Sequence, residues 1–378
     1  MKLFDVYPLM NITPVKASGC TVTDINGREY LDLYGGHAVI SVGHSHPHYI
    51  KSLEDQLHKI GFYSNAVINP LQKELAVRLG DISGYPEYNL FLCNSGAEAN
   101  ENALKLASFH NERKKIIAFD GSFHGRTSAA VAATDDAKIN APINKQHDVT
   151  ILPLNDFVAA ALTINDSIAA VIIEGIQGVA GVVEPTDDFL LHLSNLCNKH
   201  GVVLILDEVQ SGCGRTGKYF AHQHSGIQPD IITAAKGIGN GFPIGAVLIA
   251  PHIKAKYGML GTTFGGNYLA CVSALAVIDI IEKESLMDNA RIVGSFIKRK
   301  LSSMPGVANV TGTGLMLGVH LDIPAAEFRK KLLNEHGIFT GSASDVNVVR
   351  LLPPLCLSAD QAAICINAFS IVTEPQHA

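Results

Sequence analysis

Short apolar runs alternate with amphipathic stretches through the middle of the chain. The runs are NLFLCN (89–94), KIIAFD (115–120), DVTILP (148–153), AAVIIE (169–174), VVLILD (202–207), DIITAA (230–235) and GAVLIA (245–250). Each is rich in Val, Ile, Leu or Ala and too short for a typical helix, so each predicts a strand. Between most of them apolar residues recur at helical spacing, as in ANENALKLASFH (99–110) and DFLLHLSNLCNKHG (188–201). Strands that are apolar on both faces and separated by helices build a mostly parallel sheet covered on either side. The expectation is an α/β fold with a mostly parallel, seven-stranded sheet.

The pattern changes near residue 275. A long helix-like stretch (274–304) precedes strand-like segments in GLMLGVHLD (314–322) and NVVRLLPP (347–354). These predict a smaller α+β unit over 275–378. The first 45 residues carry an Asn-Gly turn between strand-like runs, VTDINGREYLDLYGG (22–36), and are expected to pack with that unit. Residues 46–274 then form the large unit.

Composition narrows the partners. The 378 residues are 47% hydrophobic and 17% charged, with a net charge of −6. That balance gives no reason to expect nucleic acid or an anionic membrane as partner. No apolar run approaches the length needed to cross a bilayer. The opening segment MKLFDVYPLM has an early Asp and a Pro and makes a poor secretory signal. Seven Cys lie scattered without paired spacing. Such a set reads as reduced thiols in the cytoplasm, not as a disulfide frame or zinc site, and no metal is expected.

The strand VVLILD ends in Asp207, with Glu208 next. In open α/β sheets, ligands bind beyond the carboxyl ends of the strands. Asp207, Glu174 and the pair Asn94–Ser95 all fall at such ends. So does Lys236, in AAKGIGNGFPIGA (234–246), where glycines let backbone approach a bulky ligand. A lysine can form a Schiff base, and pyridoxal phosphate needs an acid beside its ring nitrogen. Asp207 in that role keeps the nitrogen protonated. Val209, on the same side of an extended backbone, suits the ring face, and Gln210 suits the ring hydroxyl.

Two further segments complete the set. In CNSGAEANENALKLA (93–107), Ser95 and Glu98 match a capping box, and Gly96 and Ala97 then offer unpaired N–H groups to a phosphate. GSFHGRT (121–127) is no P-loop, because its spacing and its lack of Lys are wrong. Phe123 suits the second face of the ring, and Arg126 suits a bidentate grip on a substrate carboxylate. Taken singly, these are a solvated lysine, an ordinary N-cap and an exposed arginine. Their conjunction is what points to a cofactor enzyme.

Together these segments resemble the class III aminotransferases of the fold-type I pyridoxal phosphate enzymes. The nearest subgroup in pattern is the acetylornithine and succinylornithine aminotransferases. The resemblance spans nearly the whole chain, through GHSHP (43–47), NSGAEANENALKLA, FHGRT, EGIQG (174–178), LDEVQSGCGRTGK (206–218), PDIITAAKGIGNGFPIGA (229–246), TTFGGN (262–267), GLMLG (314–318) and VRLLPPL (349–355). It implies a large domain carrying the sheet and a smaller α+β domain. It implies that Lys236 binds the cofactor covalently and shuttles protons, that Asp207 pairs with the pyridine nitrogen, and that Ser95, Gly96 and Ala97 hold phosphate. Phe123 and Val209 would sandwich the ring, with Gln210 beside it, and Arg126 would bind the substrate carboxylate. Thr263 would reach the phosphate of the other subunit of a homodimer, with Thr262 near that subunit's substrate. The implied reaction is ping-pong transfer from an Nα-acylornithine to 2-oxoglutarate, giving glutamate, in arginine biosynthesis.

Three departures qualify the resemblance. The family pattern E-P-I-Q-G-E is EGIQGV here, so Gly175 replaces proline and Val179 replaces a second glutamate. In relatives that glutamate pairs with the arginine matching Arg350, a substrate-binding residue, and hides it during the first half-reaction. Arg350 therefore lacks that partner, which favours a substrate with an extra acidic group. His37 stands where an apolar or aromatic residue is usual and either contacts substrate or packs. Tyr268 stands where proline is usual.

Rival readings differ in chemistry. Another ω-aminotransferase, acting on ornithine or 4-aminobutyrate, or an aminomutase would keep the cofactor residues and differ only in the substrate pocket. His44 and His46, with His48, suggest a metal-dependent hydrolase if they share one face of a strand. A fold kept only as a scaffold is disfavoured by the intact Lys236, Asp207 and Arg126.

Overall fold

The computed structural model describes residues 1–373, so the last five residues of the expected 275–378 unit lie outside the described part. The chain starts with an antiparallel meander of β1 (Pro14–Ser18), β2 (Thr21–Asp24) and β3 (Glu29–Asp32). The Asn-Gly turn joins β2 to β3. Asp24 Oδ1 accepts the N–H groups of Asn26 and Arg28, and Gly27 takes φ 81°.

All seven apolar runs become strands of one sheet: β4 (Asn89–Cys93), β5 (Lys115–Phe119), β6 (Val149–Leu152), β7 (Ile168–Glu174), β8 (Val203–Asp207), β9 (Ile231–Ala234) and β10 (Gly245–Ile249). Their order is β4-β10-β9-β8-β7-β5-β6, and only β10 runs against its neighbours. Successive residues of β7 serve opposite cores. Ala170 and Ile172 pack under the helix Gly96–Asn111, while Val171 and Ile173 pack under the helix Asp187–His200. Both faces of this central strand are dry, which is why it carries no polar alternation.

A second sheet forms from β11 (Val307–Thr313), β12 (Met316–Leu321) and β14 (Val348–Leu351). The short β13 (Ile338–Phe339) pairs in parallel with β3, so the N-terminal meander is joined to the C-terminal part of the chain. The long helix-like stretch is two helices, Tyr268–Lys283 and Leu286–Ser302, broken where Ser285 adopts φ 51°. Residue 274 lies inside the first of these. Arg78, on the helix Pro70–Ser83, ties that helix down through Asp279 and Glu282.

Register decides where the chemistry sits. Cys93, Glu174, Asp207 and Ala234 all end strands on the same edge of the sheet, and Gly245, opposite Cys93, starts the reversed strand there. The loops that follow them meet over this edge. No helix of the described residues is long and apolar enough to cross a membrane.

Candidate active site

A cavity of about 470 Å³ opens over that edge. Ser95, Gly96, Ala97, Phe123, Arg126, Asp207, Val209, Gln210 and Lys236 all line it. Nine of the residues singled out from sequence thus meet in one place.

At the floor lies Asp207, 3% exposed. Its Oδ2 accepts from Asn100 Nδ2 at 2.7 Å and from His124 Nδ1 at 2.7 Å, and its Oδ1 accepts from the Val209 N–H at 3.0 Å. Asn100 is held in turn: its Oδ1 accepts from Thr233 at 2.6 Å, and its Nδ2 also donates to the His124 carbonyl. Three donors on a buried carboxylate fix its direction. The other ring nitrogen of His124, Nε2, is buried without a protein partner.

Lys236 opens a short turn at φ 47° and reaches the cavity half-buried. Burial pushes its ammonium pKa down, while the carboxylates of Asp207 and Glu174 pull it back up and Arg350 pushes it down further. Glu174, at the end of β7, is itself pushed up to about 7 by burial, with Asp207 adding to the rise and His124 opposing it. Its two oxygens accept the N–H groups of Phe123 at 2.9 Å and Gly178 at 3.0 Å. The acid that follows β8 has a different role. Glu208 turns into the protein and is spent on Ser211, His222 and the N–H of Ala221. A Cβ at Gly175 would come 2.5 Å from its Oε1, so glycine there leaves room for the buried carboxylate.

Ser95 caps the helix Gly96–Asn111, its side chain accepting from the Glu98 N–H at 3.2 Å. The reciprocal half of the expected capping box is displaced by one residue, because Glu98 accepts from the N–H of Asn94 rather than of Ser95. The first N–H groups of the helix have no intrahelical acceptor, and Gly96 and Ala97 line the cavity, which suits them to an anion. Gly96 is required: a Cβ there would meet Val209 Cγ1 at 2.5 Å.

Around the mouth the residues are less constrained. Arg126 is exposed, with no ion-pair partner among the described residues. His37 is exposed at φ 67° with its ring against Tyr34, so it is not a packed histidine. Burial and then the charges of Arg350, Lys236 and Arg126 push its pKa down. The His37 carbonyl accepts from Gln210 Nε2 at 3.2 Å.

Three expected residues do not line the cavity. Thr262 accepts from Asn94 Nδ2 at 3.3 Å but faces a neighbouring hollow, and Thr263 is exposed. Arg350 is 4% exposed on β14 and sits behind Gln210. It donates to Gln210 Oε1 at 3.3 Å, to the Gly178 carbonyl at 3.0 Å and to the Ser342 carbonyl. All three acceptors are neutral. Val179, where the usual carboxylate is missing, lines the cavity instead.

The hydrolase alternative fails on geometry. His44 pairs with Asp32, His46 with Glu284 and His48 with Asp279, and Pro47 starts a helix. Among the described residues no three metal-ligating groups converge.

Sequence reasoning misses Asn100 and His124 and leaves Glu174 without a role. An Asn at a buried position of an Ala-rich helix is the available signal for the first. The donor set and cavity fit pyridoxal phosphate: an anion cradle, a fixed carboxylate opposite, apolar walls from Phe123 and Val209, and an amine with depressed basicity.

Comparison with known proteins agrees. The family model for aminotransferase class-III matches residues 5–372. An acetylornithine aminotransferase of Archaeoglobus fulgidus is 40% identical over 94% of this chain and 94% of its own. The crystal structure of ornithine aminotransferase from Toxoplasma gondii superposes with TM-score 0.91 at 28% identity, covering 98% of this chain and 92% of that one. That of acetylornithine aminotransferase from Elizabethkingia anophelis gives 0.85 at 30% identity, covering 98% and 96%. Fold, site and likeness therefore converge: the chain belongs to the class-III aminotransferases, transaminases whose cofactor is pyridoxal 5'-phosphate.

Proposed function

We propose that the chain moves the terminal amino group of Nα-acetylornithine to 2-oxoglutarate by a ping-pong reaction, a step of arginine biosynthesis. The observation that carries this reading is the convergence of Lys236, Asp207 and Arg126 on one cavity, in a chain 40% identical to an acetylornithine aminotransferase.

When bound, pyridoxal phosphate supplies a carbonyl carbon open to amines and a ring that takes up electrons from a breaking C–H bond. The remaining steps belong to the chain. Asp207 holds a proton at the ring nitrogen, its direction set by Asn100, His124 and the Val209 N–H. Lys236 would hold the cofactor, and its amine, when free, would move the proton of the donor carbon. Ser95 and the N–H groups of Gly96 and Ala97 would take the phosphate. Phe123 and Val209 would flank the ring, and Gln210 would serve its hydroxyl. Arg126 grips the donor carboxylate.

The same reading makes the protein a cytoplasmic homodimer with a shared site, Thr263 serving the partner's phosphate and Thr262 lying near its substrate. Exposed Phe62, Tyr63, Ile68 and Phe264 beside Thr263 support a covered face there. It also divides the chain into units 1–45, 46–274 and 275–378, the last two joined through the helix Tyr268–Lys283.

A second donor, Nα-succinylornithine, is favoured by one observation: Arg350, buried behind Gln210, donates only to neutral acceptors, so its charge is not neutralised by a hydrogen-bonded carboxylate and attracts a second substrate carboxylate in the cavity. The test is a half-reaction panel of acetylornithine, succinylornithine, ornithine and 4-aminobutyrate, read from the cofactor's absorbance. Acetylornithine or succinylornithine should convert fastest, and faster conversion of ornithine or 4-aminobutyrate rejects the proposal. Val179→Glu should shift the kcat/KM ratio toward acetylornithine. An unchanged ratio removes the role of Arg350.

A further inference from the structure

Of the scattered cysteines, five are buried and apart: Cys93, Cys197, Cys213, Cys271 and Cys365. The other two meet. Cys20 Sγ and Cys356 Sγ lie 3.7 Å apart, although 336 positions separate them in the chain. Cys20 is 2% exposed, whereas Cys356 is half-buried. Both line a hollow of about 340 Å³ with His44, His46, Ser45 and Gln361, away from the cofactor cavity.

We propose that Cys20 and Cys356 form a redox-modifiable dithiol that a hydroperoxide converts to an intramolecular disulfide. Cys356, the more accessible, reacts first. Its thiolate attacks a peroxide oxygen, the O–O bond breaks, and one hydroxide leaves as a sulfenic acid forms on Cys356. Cys20 then loses its proton and attacks that sulfur, forming the S–S bond and releasing water. Two electrons pass from the thiols to the peroxide, and a thiol reductant reverses the change. The contact suits this order. With Cys20 donating its S–H, the Cys356 pKa is pushed down and that of Cys20 is pushed up, although burial and, less strongly, Glu284 work against the Cys356 thiolate.

The disulfide has a route to the active site. The strap 41–43 lies between the thiols and the lysine turn. On one side, Gly43 packs so closely on Cys356 that a Cβ would meet its Sγ at 2.8 Å, and Leu355 N–H donates to the Ser41 carbonyl at 2.7 Å. On the other, Asn240 Oδ1 accepts from the N–H groups of Ser41 and Val42, and Ser41 Oγ donates to the Gly237 carbonyl at 2.6 Å. Gly237 follows Lys236. Closing the sulfur gap from 3.7 Å to a bond of about 2 Å moves Cys356 against this strap.

The experiment exposes the holoenzyme to hydrogen peroxide, alkylates residual thiols and maps the peptides by mass spectrometry. A peptide linking Cys20 to Cys356 is expected, together with a several-fold fall in kcat that dithiothreitol restores. Cys356→Ser should keep its starting activity and resist the treatment, and Cys20→Ser should leave Cys356 oxidised without a cross-link. Absence of the 20–356 peptide overturns the site, as does equal inactivation of Cys356→Ser. A cross-link that leaves kcat unchanged overturns the coupling through the strap.

Discussion

The floor and the mouth of the cavity are built on different principles. At the floor every oxygen of Asp207 is bonded, Asn100 is bonded at both ends, and His124, Thr233 and Asp207 are nearly sealed from solvent. At the mouth Arg126 has no ion-pair partner among the described residues, His37 holds a left-handed backbone in the open, and Thr263 faces outward. A floor set before anything binds lowers the reorganisation needed when charge develops. A mouth with an unsatisfied cation leaves its binding energy for the substrate. Under the proposed function, the first is a device for one cofactor, and the second is where substrates are told apart.

This contrast predicts a ranking. Lys236→Ala should remove at least about four orders of magnitude from kcat, since covalent attachment and proton movement are lost together. The helix cradle at Gly96 and Ala97 should still retain part of the cofactor, which absorbance after gel filtration would report. Turnover within tenfold of the wild type would exclude Lys236 as the proton carrier. Asp207→Asn should cost about two to four orders of magnitude in kcat, with KM little changed, because the amide no longer holds the ring proton. His124→Ala removes only one of three donors to that carboxylate and should cost about tenfold. A His124 loss as large as that of Asp207→Asn would mean the floor is not set by Asp207 itself.

The same division explains what is legible in the sequence. All seven strands can be read there, because a sheet buried on both faces needs uninterrupted Val, Ile and Leu. Strand ends follow from strands, so the positions of Asp207 and Lys236 at one edge follow from the apolar pattern alone. Asn100 and His124 do not, because a polar side chain on an apolar helix face reveals its partner only when the other chain segment is present. The break at Ser285 is hidden for a related reason, since residues 274–304 have helical spacing on both sides of it. Arg350 enters through resemblance alone. Its neutral carbonyl surroundings come from residues 178 and 342, far apart in the chain, and no periodicity records them.

At the mouth, Arg126→Ala should lower kcat/KM for the donor about a hundredfold, chiefly through KM. Arg126→Lys should recover only part of this, since a point charge cannot reproduce the two parallel hydrogen bonds. An effect confined to kcat would move Arg126 from substrate binding into the machinery of the floor.

The smallest effect tests the boundary between the two regions, at Glu174. Burial raises its folded pKa to about 7 from an ordinary 4.5. Between those values the folded protein keeps a proton that the unfolded chain has released, so stability falls as pH rises through the window and stays lower above it. Glu174→Gln cannot titrate. In cofactor-free protein, the stability lost between about pH 5 and about pH 8 should therefore be smaller in the variant by about 2 kcal/mol, measured by urea unfolding. The amide also loses an acceptor for the Gly178 N–H, which destabilises the variant at every pH. That cost cancels when each protein is compared with itself, so the slope isolates the carboxyl. Identical pH slopes would show that Glu174 is hydrated like the mouth rather than dry like the floor, and would move the border of the preorganised region inward to Asp207.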